Sequence, residues 1–247
     1  MLPTYPRAED LEARRRLVIP TNCTAIDELL DGGLRSGELL LIYGEAETGK
    51  STLALQLAVN CSLMGHKALF VDCEGTLRAE KVLAMSGHEP DVLDRLTIAR
   101  PSSFEEFGQL VDCLGQLAES GLALVAVDTM TTFYRLRLSE GESPFKLNRE
   151  LGFQVASLAE VAHEKGLAVV MTSQVRARLG QGVRTSEEAL EPVANRVLRY
   201  WADLVLRLKL TGRPGLRMAV LEKGRDLKRP RPPKFFKISE EGIVDAF

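Results

Sequence analysis

The chain has 247 residues, 45% of them hydrophobic, which is enough to bury one large core. Its 32 basic and 34 acidic residues leave a net charge of -2, which excludes a nucleic-acid partner held by bulk charge alone; any such partner has to be gripped by a local basic patch. Cys23, Cys61, Cys73 and Cys113 form no C-x-x-C pair, and no run approaches the ~18 apolar residues of a membrane span, so a reduced, cytoplasmic protein with no membrane partner and no zinc site is expected.

Residues 1–20 carry three prolines and the run Arg14-Arg15-Arg16 without any sustained period, and read as an N-terminal arm. One core domain is expected over 21–247. Within it, continuous apolar runs at 39–43, 68–72, 96–99, 122–128 and 167–172 predict strands buried on both faces. Helical patterns at 50–63, 76–85, 104–118 and 145–165 lie between them and can make right-handed crossovers. The fold class this predicts is a doubly wound α/β domain with a mostly parallel sheet and helices on both faces. Shorter strands at 204–208, 216–221 and 235–238 extend the sheet at one edge.

Gly44-Glu45-Ala46-Glu47-Thr48-Gly49-Lys50-Ser51 fits G-x-x-x-x-G-K-[ST], follows an apolar strand and opens a helix. Small residues let backbone N–H groups wrap phosphates, Lys50 brings a point charge to the β and γ oxygens, and the Ser51 hydroxyl suits Mg²⁺. Residues 44 to 52, ending at Thr52, are therefore the expected ATP contacts. A second metal partner should end another buried strand, and Asp128 does so after Leu122-Ala123-Leu124-Val125-Ala126-Val127. Hydrolysis also needs a group that positions water opposite the γ-phosphate. The loop Asp72-Cys73-Glu74-Gly75-Thr76 offers Glu74, although Asp72 or Glu74 could equally cap the helix near Thr76.

With Ser173-Gln174 closing the strand at 167–172, these motifs in this order resemble the RecA/RadA recombinase superfamily, and within it the archaeal RadB branch. The likeness is carried further by Ala54-Leu55-Gln56-Leu57-Ala58-Val59-Asn60, by Asp128-Thr129-Met130-Thr131-Thr132-Phe133-Tyr134-Arg135-Leu136 and by Leu147-Asn148-Arg149-Glu150-Leu151-Gly152. Ala219-Val220-Leu221-Glu222-Lys223 and the closing Phe236-Lys237-Ile238-Ser239-Glu240-Glu241-Gly242-Ile243 belong with them. The resemblance implies a RecA-like, slowly hydrolysing ATPase that binds DNA, preferably single-stranded, and assists recombination and repair. It implies that Glu74 is the catalytic glutamate, Gln174 the γ-phosphate sensor and Arg100 the arginine stacked on adenine. Lys223 and Arg225, similar to a K-x-R element of KaiC-like and RadB-like ATPases, would reach a neighbouring subunit's phosphates.

Two arginine-bearing segments, 135–146 and 176–199, stand where the superfamily has its DNA-gripping loops, so Arg135, Arg137, Arg176, Arg178 and Arg184 are the implied DNA contacts. Tyr5-Pro6-Arg7-Ala8 resembles the F-x-x-A docking motif and implies self-association or contact with a RadA-type recombinase. Three positions depart from the family pattern: Glu47 for a frequent glycine, Pro192-Val193-Ala194-Asn195 for a Gly-Gly-Asn turn, and Ser173 for a common asparagine. Lost turn glycines restrict the backbone. A KaiC-like regulatory ATPase and a nucleotide-gated scaffold for a protein partner stand as the alternatives.

Overall fold

The computed structural model describes residues 17–177, 190–226 and 231–246. The chain enters through β1 (Val18–Ile19), α1 (Thr24–Leu29), β2 (Leu34–Arg35), β3 (Leu39–Gly44) and α2 (Lys50–Leu63). It continues through β4 (Lys67–Asp72), α3 (Ala79–Met85), α4 (Asp91–Arg95), β5 (Leu96–Ala99), α5 (Phe104–Glu119) and β6 (Leu122–Asp128). Then come α6 (Thr132–Ser139), α7 (Pro144–Lys165), β7 (Ala168–Ser173), β8 (Val175–Ala177), β9 (Leu190–Pro192) and α8 (Asn195–Trp201). β10 (Leu204–Leu210), β11 (Leu216–Lys223), β12 (Lys234–Ser239) and β13 (Gly242–Asp245) complete the described elements.

A nine-stranded sheet organises them in the order β13-β12-β11-β10-β3-β7-β6-β4-β5. The six strands from β10 to β5 are mutually parallel; β11, β12 and β13 extend the sheet at one edge, where late strands were expected, and run antiparallel to their neighbours. The central strands are buried on both faces because their side chains alternate between two cores. Leu40 and Ile42 of β3 join the core beneath α2, whereas Leu39, Leu41 and Tyr43 join the one beneath α5 and α7. Only a strand apolar on both sides can occupy that place, hence the unbroken run at 39–43.

Local signals explain the helix ends. The Ser103 side chain accepts the Glu106 N–H at the start of α5, Pro144 occupies the first turn of α7, and Gly166 ends α7 with φ 70°. Packed structure begins ahead of Thr21: Val18 and Ile19 pair with Arg35 and Leu34, and Asn60 donates to the Pro20 carbonyl. The helix expected from Thr76 starts at Ala79 instead. The Asp72 carboxylate accepts the Thr76 and Leu77 N–H groups, which holds the intervening turn open.

Candidate nucleotide site

Gly44 ends β3 where β10 lies alongside, and a Cβ there would sit 2.2 Å from the Leu208 carbonyl oxygen, so this position admits only glycine. Beyond it the loop turns through Glu47 at φ 62° and Gly49 at φ 98°, and Gly49 opens α2. Lys50 Nζ and Thr48 Oγ1 both donate to the Glu45 carbonyl, at 2.7 and 2.8 Å, closing the turn on itself. Arg217 of β11 adds a bond to the Glu47 carbonyl at 2.9 Å.

The C-terminal ends of β3, β6 and β7 bring the polar groups together. Asp128 Oδ1 accepts from Ser51 Oγ at 3.1 Å and from Thr172 Oγ1 at 2.5 Å. Burial pushes the Asp128 carboxyl above its ordinary range, against the pull of those two hydroxyls. Burial likewise holds the Lys50 ammonium down, opposed by the negative charges of Asp128, Glu74 and Glu45. A hydroxyl and a carboxylate in contact at the head of a fourteen-residue helix are the hard oxygen donors and positive dipole end that suit Mg²⁺ and phosphate. The residues present therefore fit a bound Mg·ATP, with the phosphates on the 44–52 loop and the metal on Ser51 and Asp128.

On the loop after β4 the two carboxylates divide the work. Asp72 is the structural one, taking the turn amides and Arg100 Nε at 3.2 Å. Glu74 instead faces the nucleotide side, where its Oε1 accepts from Thr129 Oγ1 at 2.7 Å and Gln174 Nε2 at 3.2 Å. Arg135 donates in turn to Gln174 Oε1, so a chain of hydrogen bonds runs from Glu74 through Gln174 to the first turn of α6. The Arg100 guanidinium is held by Asp72 and by the Leu77 carbonyl, beside the outermost parallel strand. Lys81, which sequence reasoning passed over, places its Nζ 3.3 Å from Thr52 Oγ1. It is a half-buried ammonium, and burial lowers its pKa. The signal available was a lysine on the short amphipathic segment that follows the Glu74 loop. Thr129 and Thr172, which anchor the two carboxylates, were equally missed, because a strand-end threonine has no distinctive pattern.

Lys223 and Arg225 lie far from their own phosphate loop. Arg225 bonds Glu38 through Nε and Nη2, both at 2.6 Å, and also the Leu30 and Gly33 carbonyls. Lys223 bonds the Ala202 carbonyl. Glu38 precedes β3 and Gly44 ends it, so Arg225 sits about 20 Å below the loop. Within this chain it clamps the end of β11 to Glu38 and to the turn ahead of β2.

The expected loop at 135–146 is corrected: α6 and the start of α7 occupy most of it. Arg137 is no free cation. Its guanidinium pairs with Glu105, Glu142 and Glu150 at 3.1, 2.5 and 3.0 Å and lies over the Phe104 ring, which ties α6 to the first turns of α5 and α7. Arg176 pairs with Glu191 across the β8–β9 ladder at 2.9 Å. Arg178, Arg184 and the Tyr5–Ala8 segment lie outside the described residues. At the altered turn, Ala194 takes φ 54°, ψ 36°, the left-handed conformation that a glycine would adopt without strain.

A phosphate loop at the carboxyl end of β3, the middle strand of the nine-stranded sheet, with Ser51, Asp128 and Glu74 converging beside it, defines a RecA-like P-loop fold. The Rad51 family model matches residues 13–246, and the chain belongs to that family. It is similar to proteins called DNA repair and recombination protein RadB. The one from Methanococcoides burtonii is 32% identical over 225 residues, 90% of this chain and 96% of the relative. The one from Thermococcus kodakarensis is 34% identical over 236 residues, 93% of this chain and 100% of the relative. Among solved structures, a crystal structure of the RadB recombinase superposes with a TM-score of 0.76 at 32% identity, covering 93% of this chain and all of that one.

Proposed function

We propose that the chain is a slow Mg·ATPase that binds single-stranded DNA and serves recombination and repair in the cytoplasm. The observation that carries the ATPase reading is the convergence of Lys50, Ser51, Asp128 and Glu74 at one end of the sheet. Lys50 would leave the Glu45 carbonyl to meet the β and γ oxygens, and Mg²⁺ would neutralise developing phosphate charge. Glu74, held by Thr129 and Gln174, orients the attacking water and takes its proton. Lys81, beside Thr52, adds a cation at the head of α2, and Asp72 and the Leu77 carbonyl hold the exposed Arg100 guanidinium by its edge. The Glu74–Gln174–Arg135 chain offers a route by which γ-phosphate occupancy reaches α6. The names of the relatives support the DNA reading, as do Arg135 and the partly described 176–199 segment.

Nucleotide binding is tested by titrating fluorescent ATP with and without Mg²⁺. Lys50→Ala abolishes the tight, Mg²⁺-dependent phase, and Glu74→Gln keeps it while hydrolysis falls roughly 10²–10⁴-fold. Unchanged affinity in Lys50→Ala would overturn the assignment. A nucleotide-gated scaffold for another recombinase is the second reading, favoured by Arg225 being locked within its own subunit.

A further inference from the structure

α7 and α8 each lead into a parallel strand, β7 and β10, so they run side by side in one direction. They meet where a Cβ on Gly152 would lie 4.0 Å from Val197 Cγ1. At about 100° per residue, Leu151 and Leu198 turn from that contact toward the sheet. Arg149 and Phe153 on α7, and Arg196 and Tyr200 on α8, turn the opposite way and share one outer surface. The rings there are open to solvent: Phe153 is 66% and Tyr200 75% exposed, and Phe145, two turns up α7, is 79% exposed. A globular surface has no folding reason to leave three large rings this open on neighbouring helices.

The charge around them is one-sided. Glu142 and Glu150 are paired by Arg137 and Lys146, Glu191 by Arg176, and Glu222 by Arg199. Among the described residues Arg149 and Arg196 make no ion pair, and the next acid along α7 beyond Phe153 is Glu160. At the head of the stripe a polar cleft of about 640 Å³ opens, lined by Asn148, Arg176, Asn195 and Arg196 among others. Rings that alternate with surplus guanidinium groups match a polymer that offers flat faces and anionic links in turn. A protein hot spot would instead gather its rings into one water-excluding centre.

We propose that the outer face of α7 and α8 binds single-stranded nucleic acid, with Phe145, Phe153 and Tyr200 stacking bases while Arg149 and Arg196 meet phosphates. This deepens the DNA-binding reading and rests on it. The test is anisotropy of labelled oligothymidylate against the full chain over a range of salt. Phe145→Ala/Phe153→Ala and Tyr200→Ala each weaken binding roughly 5-fold to 100-fold per ring removed. Arg149→Gln lowers the logarithmic salt slope by about 0.7. Trp201 is the only tryptophan and meets Tyr200 edge to face at 5.2 Å, so its emission changes on binding in the wild type and not in Tyr200→Ala. Variants with wild-type melting points and wild-type affinity overturn the proposal. Variants that keep the affinity but lose self-association in sedimentation make the face a protein contact, which also overturns it. A wild-type chain that ignores oligothymidylate at low salt defeats the DNA reading itself.

Discussion

The Tyr43 hydroxyl lies 2.7 and 2.8 Å from the two carboxylate oxygens of Glu222, which joins the residue before the phosphate loop to β11. Arg199 of α8 bonds the same carboxylate, and Arg207 stands 3.9 Å from it and over the Tyr43 ring. Burial and the neighbouring carboxylate push the Tyr43 phenol upward, so it remains a neutral donor across the physiological range. Tyr43→Phe removes that donor from a half-buried charge and should cost about 1–2 kcal/mol in urea unfolding. A loss of nucleotide affinity beyond what destabilisation explains would show that α8 and the loop communicate through this pair.

Asp128 links stability to function through pH. Its folded-state pKa is raised by burial, so the ionised form weighs against folding at neutral pH and that penalty is relieved as pH falls through the raised value. Asp128→Asn keeps an oxygen for Ser51 and Thr172 but no charge. Its thermal midpoint at pH 7 should rise, by roughly 2–4 °C for each kcal/mol relieved, while Mg²⁺-dependent ATP affinity disappears. In the wild type, Mg²⁺-dependent affinity should fade on acidification at a pH above that of an ordinary aspartate. Calorimetry and nucleotide titration over pH 4–8 check both.

Arg225→Ala leaves Glu38 buried without its partner, and the cost should be about 3–5 kcal/mol. Arg225→Lys cannot restore the two-pronged contact and should recover only part of it. An Arg225→Ala protein with wild-type melting but no ATPase activity would instead support action on a neighbouring subunit, as would recovered hydrolysis on mixing it with Glu74→Gln.

Arg137→Ala and Arg135→Ala should separate cleanly. Without Arg137, Glu105, Glu142 and Glu150 lose their common cation, and the melting point falls with little change in the salt slope of DNA binding. Without Arg135, stability holds and the response of Gln174 to nucleotide weakens.

The strands and long helices were legible in the sequence because burial on both faces and helical period leave few alternatives at 39–43, 50–63 or 122–128. Asp128 was legible by the same logic. The role of Asp72 was not, since a cap and a catalytic carboxylate share one residue type and only the turn amides at Thr76 and Leu77 distinguish them. Arg137 looked like a DNA contact because its three acids lie apart, on α5, on the turn between α6 and α7, and on α7, and the Asp72 bond to Arg100 spans 28 positions that no local pattern marks. Glu47 and Ala194 stand where the family favours glycine, and both take positive φ, so the backbone shape persists without the residue that suits it best. That strain, about 1–2 kcal/mol each, has to be carried by the surrounding contacts.

The β12–β13 hairpin sets the order in which the molecule can become competent. Side chains of Ile238 and Ile243 abut Gly49, Gln56 of α2 bonds both the N–H and the carbonyl of Ile243, and Asp245 accepts the Thr24 and Ala25 amides. Between 187 and 221 positions separate the hydrogen-bonded partners. During synthesis the phosphate loop emerges early, yet its supporting floor is made last, so a nascent chain cut short of Asp245 carries the whole nucleotide motif without the wall that shapes it.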